Sequence, residues 1–497
     1  MNELLKGMKA MTNYTRTENG ALTHKTTYNK VLDMFAQGGS MRNRSEDDII
    51  NMFMRAYNED KTLALKCLFY LRDIRGGAGE RRFFRICFKW LAIHYEREAE
   101  HLIPLVATYG RYDDLFELFD TPCEGAMMGY IWHVINKNED HLVYKWMPSI
   151  NASSSITKDR GRRFAREFGL TEREYRIMLS EGRKDCHLVE TLMSQNQWNQ
   201  IAFDKLPSRA GLLYKNAFMR REETRERYIA FMSSDKTKVN AGALNPVEIA
   251  HQIFNNWRTP STTERLAWQK YWDNLKDYYN GREEPGIAVV DVSGSMTGVP
   301  MEAAVSMGAY IAERGKGPFH NHFITFSSDP QLVEFEGVDI YDKFRRAIAA
   351  DWGQNTNIEA VFDMLLETGI RNRVPNEDMP KTIYIFSDME FDDCITCGER
   401  TASRYYNTCH SMNRNQIDTL IEQKVDEWKA YGYTAPRVVF WNLDARHQNI
   451  PAIGPGFSYC SGFSMSALEG VLSGKDGIEM MLDILQSPRY SPVLSCE

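Results

Sequence analysis

The sequence predicts two domains of different class: an α-helical half at 1–280 and a doubly wound, mostly parallel α/β domain at 285–497. A chain of 497 residues with 43% hydrophobic residues can fill two cores, because single cores stop growing near roughly 250 to 300 residues. In the first half, apolar residues recur at three- and four-residue spacing, as in NMFMRAY. From Gly286 onward, short apolar runs alternate with helical stretches.

The first half contains helical segments that each present one apolar face. The predicted segments are 47–59, 61–74, 81–100, 126–136, 171–179, 210–227 and 246–253. Segments of this length joined by short turns are typical of stacked helix pairs, as in HEAT-like repeats. We predict no strand in this half, because no stretch alternates convincingly as a sheet would.

The second half contains short buried strands separated by helices. The predicted strands are 287–290, 323–326, 382–386 and 438–441. The intervening helices begin near Pro300, Tyr341, Asn357 and Gln416. Crossover connections of this kind predict a largely parallel sheet. The hydrophilic stretch WDNLKDYYNGREEPG is the predicted boundary between the halves.

Charge is distributed unevenly along the chain. The net charge of −7 divides into +5 over residues 1–285 and −12 over residues 286–497, so the first half is the candidate for binding a polyanion. No apolar run approaches the roughly 20 residues of a membrane span, and the first residues lack a signal-peptide core. The nine cysteines lack the spacing of a disulfide scaffold. We expect a soluble, cytoplasmic protein with free thiols.

A candidate metal site follows the first predicted strand, in IAVVDVSGSM. Asp291, Ser293 and Ser295 can direct one carboxylate and two hydroxyls at one point, and Gly294 lets the backbone bend between them. These hard oxygen ligands suit Mg²⁺ first and Mn²⁺ or Ca²⁺ next. The alternative is a turn that only caps the following helix, since Ser and Asp are also good N-cap residues.

This DxSxS pattern resembles the metal-ion-dependent adhesion site (MIDAS) of von Willebrand factor A domains, which are Rossmann-like. The resemblance implies two further ligands, and the sequence offers them in order: Thr356 in WGQNTNI and Asp388, often through water, in IYIFSDMEFD. Asp291 and Asp388 both follow predicted strands, at the edge where open α/β sheets bind ligands. Such a site leaves one position for water or for an acidic group of a partner.

A helical half followed by such a domain resembles the Ro autoantigen family, ring-shaped RNA-binding proteins that carry the TROVE module. The supporting stretches are LRDIRGGAGERRFFR, TYGRYDDL, KWMPS, YRIMLS, LPSRAGLLYKNAF, GYTAPRVVFWNL and SGFS. They are most similar to a little-characterised, Ro-related branch found in viruses and cellular genomes. The resemblance implies a monomeric toroid of helical repeats, closed by the A domain, that binds small non-coding or misfolded RNA.

The candidate RNA-binding surface is a basic helical segment in the first half. Its cations are Lys158, Arg160, Arg162, Arg163, Arg166, Arg173, Arg176, Arg183 and Lys184. Arginine forks pair with phosphates and stack on unpaired bases. The alternative is an ordinary solvated helix face, because glutamates alternate with these cations.

Four further phosphate-contact candidates flank the GGAG turn at 76–79: Arg75, Arg81, Arg82 and Arg85. Exposed glycine amides next to a helix start can bind phosphate. A plain turn between two helices also explains the glycines.

The predicted function is a non-enzymatic, RNA-binding ribonucleoprotein component with a divalent cation in its A domain. We predict no catalytic residues, since HExxH and GxSxG motifs are absent from the sequence. One alternative is a protein-binding scaffold whose metal captures an acidic residue of a partner without nucleic acid, and another is an adaptor for an ATPase or nuclease. A zinc site at Cys394, Cys397, Cys409 and His410 is disfavoured, because the adjacent Cys409 and His410 cannot easily reach one ion.

Overall fold

The computed structural model describes residues 12–186, 188–326, 330–349, 357–392 and 419–496. The chain forms two compact units, each assembled from separated stretches. The sheet unit draws its described residues from Met1–Arg44, Asn245–Trp257 and Asp277–Ile484. The helical unit draws them from Ser45–Leu244, Arg258–Lys276 and Leu485–Glu497. Each unit therefore takes residues from both sides of position 280.

Helices dominate the part of the chain before position 280. The α-helices of the described residues are α1 (Lys30–Gln37), α2 (Glu46–Glu59), α3 (Lys61–Arg72), α4 (Arg81–His94), α5 (Glu96–Tyr109), α6 (Glu124–Lys137), α7 (Leu142–Trp146), α8 (Ser155–Glu167), α9 (Glu172–Asp185), α10 (Val189–Ser194), α11 (Ser208–Arg220), α12 (Glu222–Ser233), α13 (Pro246–Phe254), α14 (Thr262–Asp273), α15 (Val299–Arg314), α16 (Ile340–Ile348), α17 (Ile358–Asn372), α18 (Leu420–Ala430), α19 (Leu468–Val471) and α20 (Gly477–Leu485).

The strands belong to one small and one large sheet. They are β1 (Tyr14–Arg16), β2 (Leu22–His24), β3 (Gly286–Asp291), β4 (His322–Phe326), β5 (Gln331–Glu334), β6 (Thr382–Ser387), β7 (Arg437–Asn442) and β8 (Phe457–Ser461). β1 and β2 form an antiparallel hairpin. The six-stranded sheet has the order β5-β4-β3-β6-β7-β8, and β5 is its antiparallel edge strand. The predicted fold class, helices followed by a mostly parallel sheet, is confirmed.

The central strands are buried because they are continuous apolar runs. Every residue of β6 is buried, and in β3 and β7 all residues after the first are buried. Helices cover the faces of a parallel sheet, so such strands lack the polar alternation of a half-exposed sheet. The strands predicted at 287–290, 323–326, 382–386 and 438–441 are confirmed within one residue at either end. The helix predicted near Gln416 lies partly outside the described residues.

Four of the described strands were not predicted: β1, β2, β5 and β8. The expectation that the first half contains no strand is wrong. β8 has the sequence FSYCS and is buried throughout. Its two serines interrupt the apolar pattern by which a buried strand is recognised in a sequence. β1 and β2 are only three residues long each. Strands so short give no measurable alternation, and β8 lacks the apolar run that identified its neighbours.

The N-terminal stretch folds with the sheet because α1 and the turn after it lie against β8. The hydroxyl of Ser461 donates to the carbonyl of Phe35 at 2.8 Å and accepts from the backbone N–H of Gly39 at 3.0 Å. A Cβ atom at Gly39 would lie 2.6 Å from the carbonyl oxygen of Ser461. Only glycine permits this approach, so the SGFS stretch and α1 pack as one element.

Two predicted helices are each divided into two. The segment at 81–100 separates into α4 and α5 at Tyr95, and the segment at 210–227 separates into α11 and α12 at Arg221. Acidic residues follow each break in the first turn of the next helix, Glu96 and Glu98 in α5 and Glu222 and Glu223 in α12. Negative charge stabilises a helix N-terminus, which favours a new start at these positions. None of the helices in the described ranges is both long and apolar enough to cross a membrane.

We expect Lys215→Met to stabilise the protein at neutral pH and to lose that advantage in alkali. Lys215 is 6% exposed, and burial lowers its pKa to about 8. The attraction to Glu264 acts in the opposite direction and raises the pKa. Because the folded-state pKa is depressed, the wild type gains stability as pH rises from about 8 toward 10.5. The variant should exceed the wild type by about 1 to 3 kcal/mol near neutral pH, and the difference should shrink toward pH 10 in urea unfolding.

Lys205→Met, at an exposed lysine of the same unit, is the matched control and should show no pH-dependent difference. In the Lys215 variant, Glu264 keeps its ion pair with Arg258 at 2.6 Å. A stability difference for Lys215→Met that is the same at both ends of the pH range would contradict the prediction.

Candidate metal centre and basic grooves

The DxSxS turn at the end of β3 brings its oxygen groups together. Asp291 is fully buried, and its Oδ1 accepts the backbone N–H of Ser293 at 2.9 Å. The hydroxyl oxygens of Ser293 and Ser295 lie 3.0 Å apart. Ser295 is exposed, whereas Ser293 is buried. The turn therefore has a buried carboxylate at its base and a hydroxyl at the surface.

Asp388 lies at the same edge because β3 and β6 are adjacent and parallel. Val290 is paired with Phe386, so the residues that follow each of them meet: the hydroxyl of Ser387 donates to Oδ2 of Asp291 at 2.6 Å. Asp388 is 2% exposed. The next residue, Met389, has φ of 66°, a left-handed conformation that is uncommon for residues other than glycine. This conformation is the kind of backbone strain found at binding sites.

Two carboxylates are thus buried close together. Burial is the main cause that raises the pKa of Asp291, and the neighbouring charge of Asp388 raises it further. Hydrogen bonds from Ser387 and Ser293 act in the opposite direction. Arg446 forms an ion pair with Asp388 and supplies one compensating positive charge. A second positive charge would relieve the remaining repulsion between the carboxylates.

The donor set fits a hard divalent cation. It contains two carboxylates and the hydroxyls of Ser293 and Ser295, all oxygen donors. Within the described ranges, Oδ1 of Asn442 is buried and has no hydrogen-bond partner. Asn442 pairs in register with Ser387, so their side chains lie on the same face of the sheet. Asn442 is a further candidate donor that sequence reasoning missed, since only its strand register connects it with the site.

Thr356, the remaining predicted ligand, lies outside the described residues, as do Cys394, Cys397, Cys409 and His410.

A second group of titratable side chains lies beside the candidate metal centre. Ligand atoms of Glu18, Glu390 and His447 lie within 4.8 Å of one another. Glu390 is 1% exposed and accepts hydrogen bonds from the backbone N–H of Glu18 at 2.6 Å and from Asn449 at 2.8 Å. His447 lies 2.9 Å from the same carboxylate. These partners account for both oxygens of Glu390, which favours a structural role as an anchor for the β1–β2 turn.

The predicted RNA-binding cations lie on α8 and α9, and three of them are held by other parts of the helical unit. Arg163 pairs with Asp120 at 2.8 Å and with Glu124. Arg162 pairs with Glu172 at 3.0 Å. Arg183 donates to the carbonyls of residues 144 and 147 at 2.9 and 2.8 Å. These contacts favour the structural alternative for the three arginines.

Other cations of the segment have fewer protein partners, and Arg176 donates from Nε to the carbonyl of Glu172 at 3.2 Å. Arg166, Arg173, Arg176 and Lys184 are exposed, and none of the four forms an ion pair with a described residue. Lys158 and Arg160 are partly exposed, and the guanidinium of Arg160 lies 5.1 Å from the ring centre of Phe119.

A groove of about 300 Å³, the α9 groove, collects three of the predicted cations. Its lining is Ser149, Asn151, Arg176, Leu179, Ser180, Arg183, Lys184, Thr191 and Gln195. No acidic side chain belongs to this described lining. Cations interspersed with hydroxyl and amide groups are the donors that proteins direct at phosphates.

The GGAG turn uses its amides internally. The backbone N–H groups of Gly77 and Gly79 donate to the carbonyl of Asp73 at 3.2 and 3.1 Å. A Cβ atom at Gly77 would lie 1.9 Å from the carbonyl oxygen of Tyr70, so glycine is required by the close approach of the chain. These contacts favour the plain-turn alternative over a phosphate cradle.

The four arginines around this turn divide into two pairs. Arg85 forms ion pairs with Asp113 at 2.8 Å and Asp114 at 2.7 Å, and Arg75 donates to a backbone carbonyl at 3.0 Å. Arg81 and Arg82 line a second groove of about 470 Å³, the α4 groove. Its full lining is Glu46, Ile50, Arg81, Arg82, Arg85, Ile86, Lys89, Trp90, Ile93 and Glu117.

We expect Asp291→Asn to stabilise the protein in the presence of a chelator at about pH 8, because the substitution removes one of two buried like charges. The asparagine can still accept the Ser293 N–H and can donate to Ser387. The expected gain is roughly 1 to 3 kcal/mol in denaturant unfolding. Asp426→Asn, at an exposed aspartate of the same unit, should leave stability nearly unchanged, and a loss of stability in Asp291→Asn would contradict the electrostatic account.

Both parts of the chain match families without an assigned function. Residues 285–484 match the family described as Domain of unknown function (DUF7788). Residues 17–115 and 142–280 match the family described as Domain of unknown function (DUF2828).

One curated relative and one solved structure extend the comparison. The chain is 29% identical over 540 residues to Uncharacterized protein L728 of Acanthamoeba polyphaga mimivirus, covering 97% of this chain and 89% of that protein. The crystal structure of the Deinococcus radiodurans Ro (RSR) protein matches 93% of this chain and 99% of its own, with 11% identity and a TM-score of 0.38. The chain is thus similar along nearly its whole length to an uncharacterised viral protein.

Proposed function

We propose that this chain is a non-enzymatic binding protein that holds one divalent cation in its sheet unit and binds RNA through its helical unit. The observation that carries the cation site is the meeting of Asp291 and Asp388 at the ends of two adjacent parallel strands, with the hydroxyls of Ser293 and Ser295 beside them. The helical unit contributes two grooves lined with cations.

The cation would be held by oxygen ligands of low total charge. Asp291 and the two serine hydroxyls would bind it directly, and Asp388 would act directly or through water. When bound, the ion would supply positive charge for an incoming anion, because neutral hydroxyls leave part of its charge uncompensated. Ser295 and Gly294 are exposed, so an acidic group of a ligand can approach from solvent.

Addition of Mg²⁺ is expected to stabilise the wild-type protein and not the Asp291→Asn variant. A ligand that binds only the folded state at about 100 times its dissociation constant raises the free energy of unfolding by about 2.7 kcal/mol. Thermal unfolding with increasing Mg²⁺, then with excess chelator, measures the effect and its reversal. Asp426→Asn should retain the full response. Equal stabilisation of the wild type and the Asp291→Asn variant by Mg²⁺ would mean that the ion binds elsewhere and would contradict the proposed site.

RNA binding is supported by the composition of the two grooves. The α9 groove joins Arg176, Arg183 and Lys184 to hydroxyl and amide groups without an acidic neighbour in its lining. The α4 groove joins Arg81, Arg82 and Lys89 to the partly exposed ring of Trp90. Cations that track phosphates beside an aromatic ring that stacks on bases are typical of single-stranded nucleic acid sites.

We expect replacement of Arg176 and Lys184 by glutamine to weaken RNA binding and to reduce its salt dependence. Each lost phosphate contact lowers the slope of log affinity against log salt by about one. Fluorescence anisotropy with a hairpin RNA that carries a single-stranded end measures both quantities. Replacement of Lys137 and Lys205, exposed lysines outside both grooves, removes the same charge and should have a much smaller effect. Equal losses in the two double variants would argue for non-specific attraction only.

A protein-binding scaffold is the second candidate function, and the exposure of Ser295 favours it. In this version, the cation binds a carboxylate of a partner protein and nucleic acid has no role. The two candidates are distinguished by the same variants: a scaffold loses its partner in Asp291→Asn and keeps it in the Arg176 and Lys184 double variant.

A further inference from the structure

Arg446 carries a positive charge to the edge of the proposed cation site. Its Nη2 forms an ion pair with Oδ2 of Asp388, whose side chain is 0% exposed. Its Nη1 lies 3.2 Å from Oε2 of Glu18, whose side chain is 52% exposed. The guanidinium therefore connects a buried candidate ligand with a solvent-exposed carboxylate on the turn between β1 and β2.

The β1–β2 turn is fixed to the segment that follows Asp388. The backbone N–H of Glu18 donates to Oε2 of Glu390 at 2.6 Å, and the hydroxyl of Thr17 donates to the carbonyl of Phe391 at 2.6 Å. Asn19 donates to the carbonyl of Glu390 at 2.6 Å. Backbone contacts thus hold Glu18 within reach of Arg446, independently of the ion pair.

The guanidinium of Arg446 is less constrained than its backbone. The backbone carbonyl of Arg446 accepts a hydrogen bond from the side chain of Arg44. The backbone N–H of Arg446 donates to the carbonyl of Asp444 at 2.9 Å. In the part of the chain that the structure describes, the buried Nε of Arg446 has no hydrogen-bond partner. The terminal nitrogens make the ion pairs, so the head group can shift from Asp388 toward Glu18 without losing a bond at Nε.

We propose that Arg446 is a resident counter-cation of the metal site, which competes with the divalent ion for Asp388 and is drawn aside by Glu18. The inference rests on the proposed cation binding. Two positive charges beside one buried carboxylate repel each other strongly at low effective dielectric. The ion therefore gains less from Asp388 while Arg446 remains there, and Glu18 offers the guanidinium another partner. Arg446 and Glu18 are positioning residues that set affinity without binding the ion.

The test is a calorimetric Mg²⁺ titration of the full chain in four forms: wild type, Arg446→Gln, Glu18→Gln and the double variant. We expect the Arg446→Gln variant to bind Mg²⁺ about tenfold more tightly than the wild type. An adjacent guanidinium commonly weakens proton binding by a carboxylate at least about tenfold, and we expect a similar effect on the ion. Glu18→Gln should bind about threefold weaker, as expected for a partly exposed ion pair. The double variant should match Arg446→Gln, because Glu18 acts through Arg446.

Arg446→Lys is the charge-preserving control and should remain close to the wild type. Arg446→Gln leaves Asp388 without its ion pair, so its fold is checked by thermal unfolding, and Glu18→Gln tests the same idea from the surface. Unchanged or weaker Mg²⁺ binding by a folded Arg446→Gln, with a normal wild type, overturns the counter-cation alone. Absence of Mg²⁺ binding in the wild type and in every variant overturns the cation site and this inference together.

Discussion

The constraint on which the C-terminal edge of the sheet depends is the parallel pairing of β3 with β6. Continuation of the pairing beyond Val290 and Phe386 brings Asp291 against Ser387 and buries Asp388 next to them. Two buried carboxylates are costly unless hydrogen bonds and opposite charges surround them. Ser387, the Ser293 amide and Arg446 offset part of that cost. The residues at this edge are therefore arranged around charge and not around apolar packing.

Buried carboxylates also organise the helical unit, and they explain its most recognisable sequence stretches. Asp114 lies 2.6 Å from Arg72 with almost no exposed surface on either side chain. Asp73 accepts hydrogen bonds from Arg489 at 2.6 Å and from Tyr490 at 2.9 Å. Removal of one partner from such a pair leaves an uncompensated charge and costs about 3 to 5 kcal/mol. Arg72 and Asp73 of the LRDIRGGAGERRFFR stretch are accordingly explained by their contribution to folding.

The parallel sheet and the DxSxS turn were predictable because they are local: an apolar run gives the strand, and spacing within five residues gives the turn. Asn442 and Arg446 were not predictable, since strand register and a loop bring them to Asp291 and Asp388 across more than fifty positions of sequence. The ion pairs of Arg85 were not predictable for the same reason. Its acidic partners lie about thirty positions later, in TYGRYDDL, and net charge along the sequence does not reveal them.

The contacts that each cation already makes within the protein also bear on where an anion would bind. Among the candidate anion-binding cations, Arg85, Arg163 and Arg183 have several protein partners in the described chain. A guanidinium already bonded to carboxylates or carbonyls has fewer donors left for phosphate. Arg176 and Lys184 lie in a groove without an acidic lining residue in the described chain, so a phosphate there would meet no competing carboxylate. The cations that are already bonded within the protein are thus the poorer candidates for recognition, and Arg176 and Lys184 of α9 are the better ones.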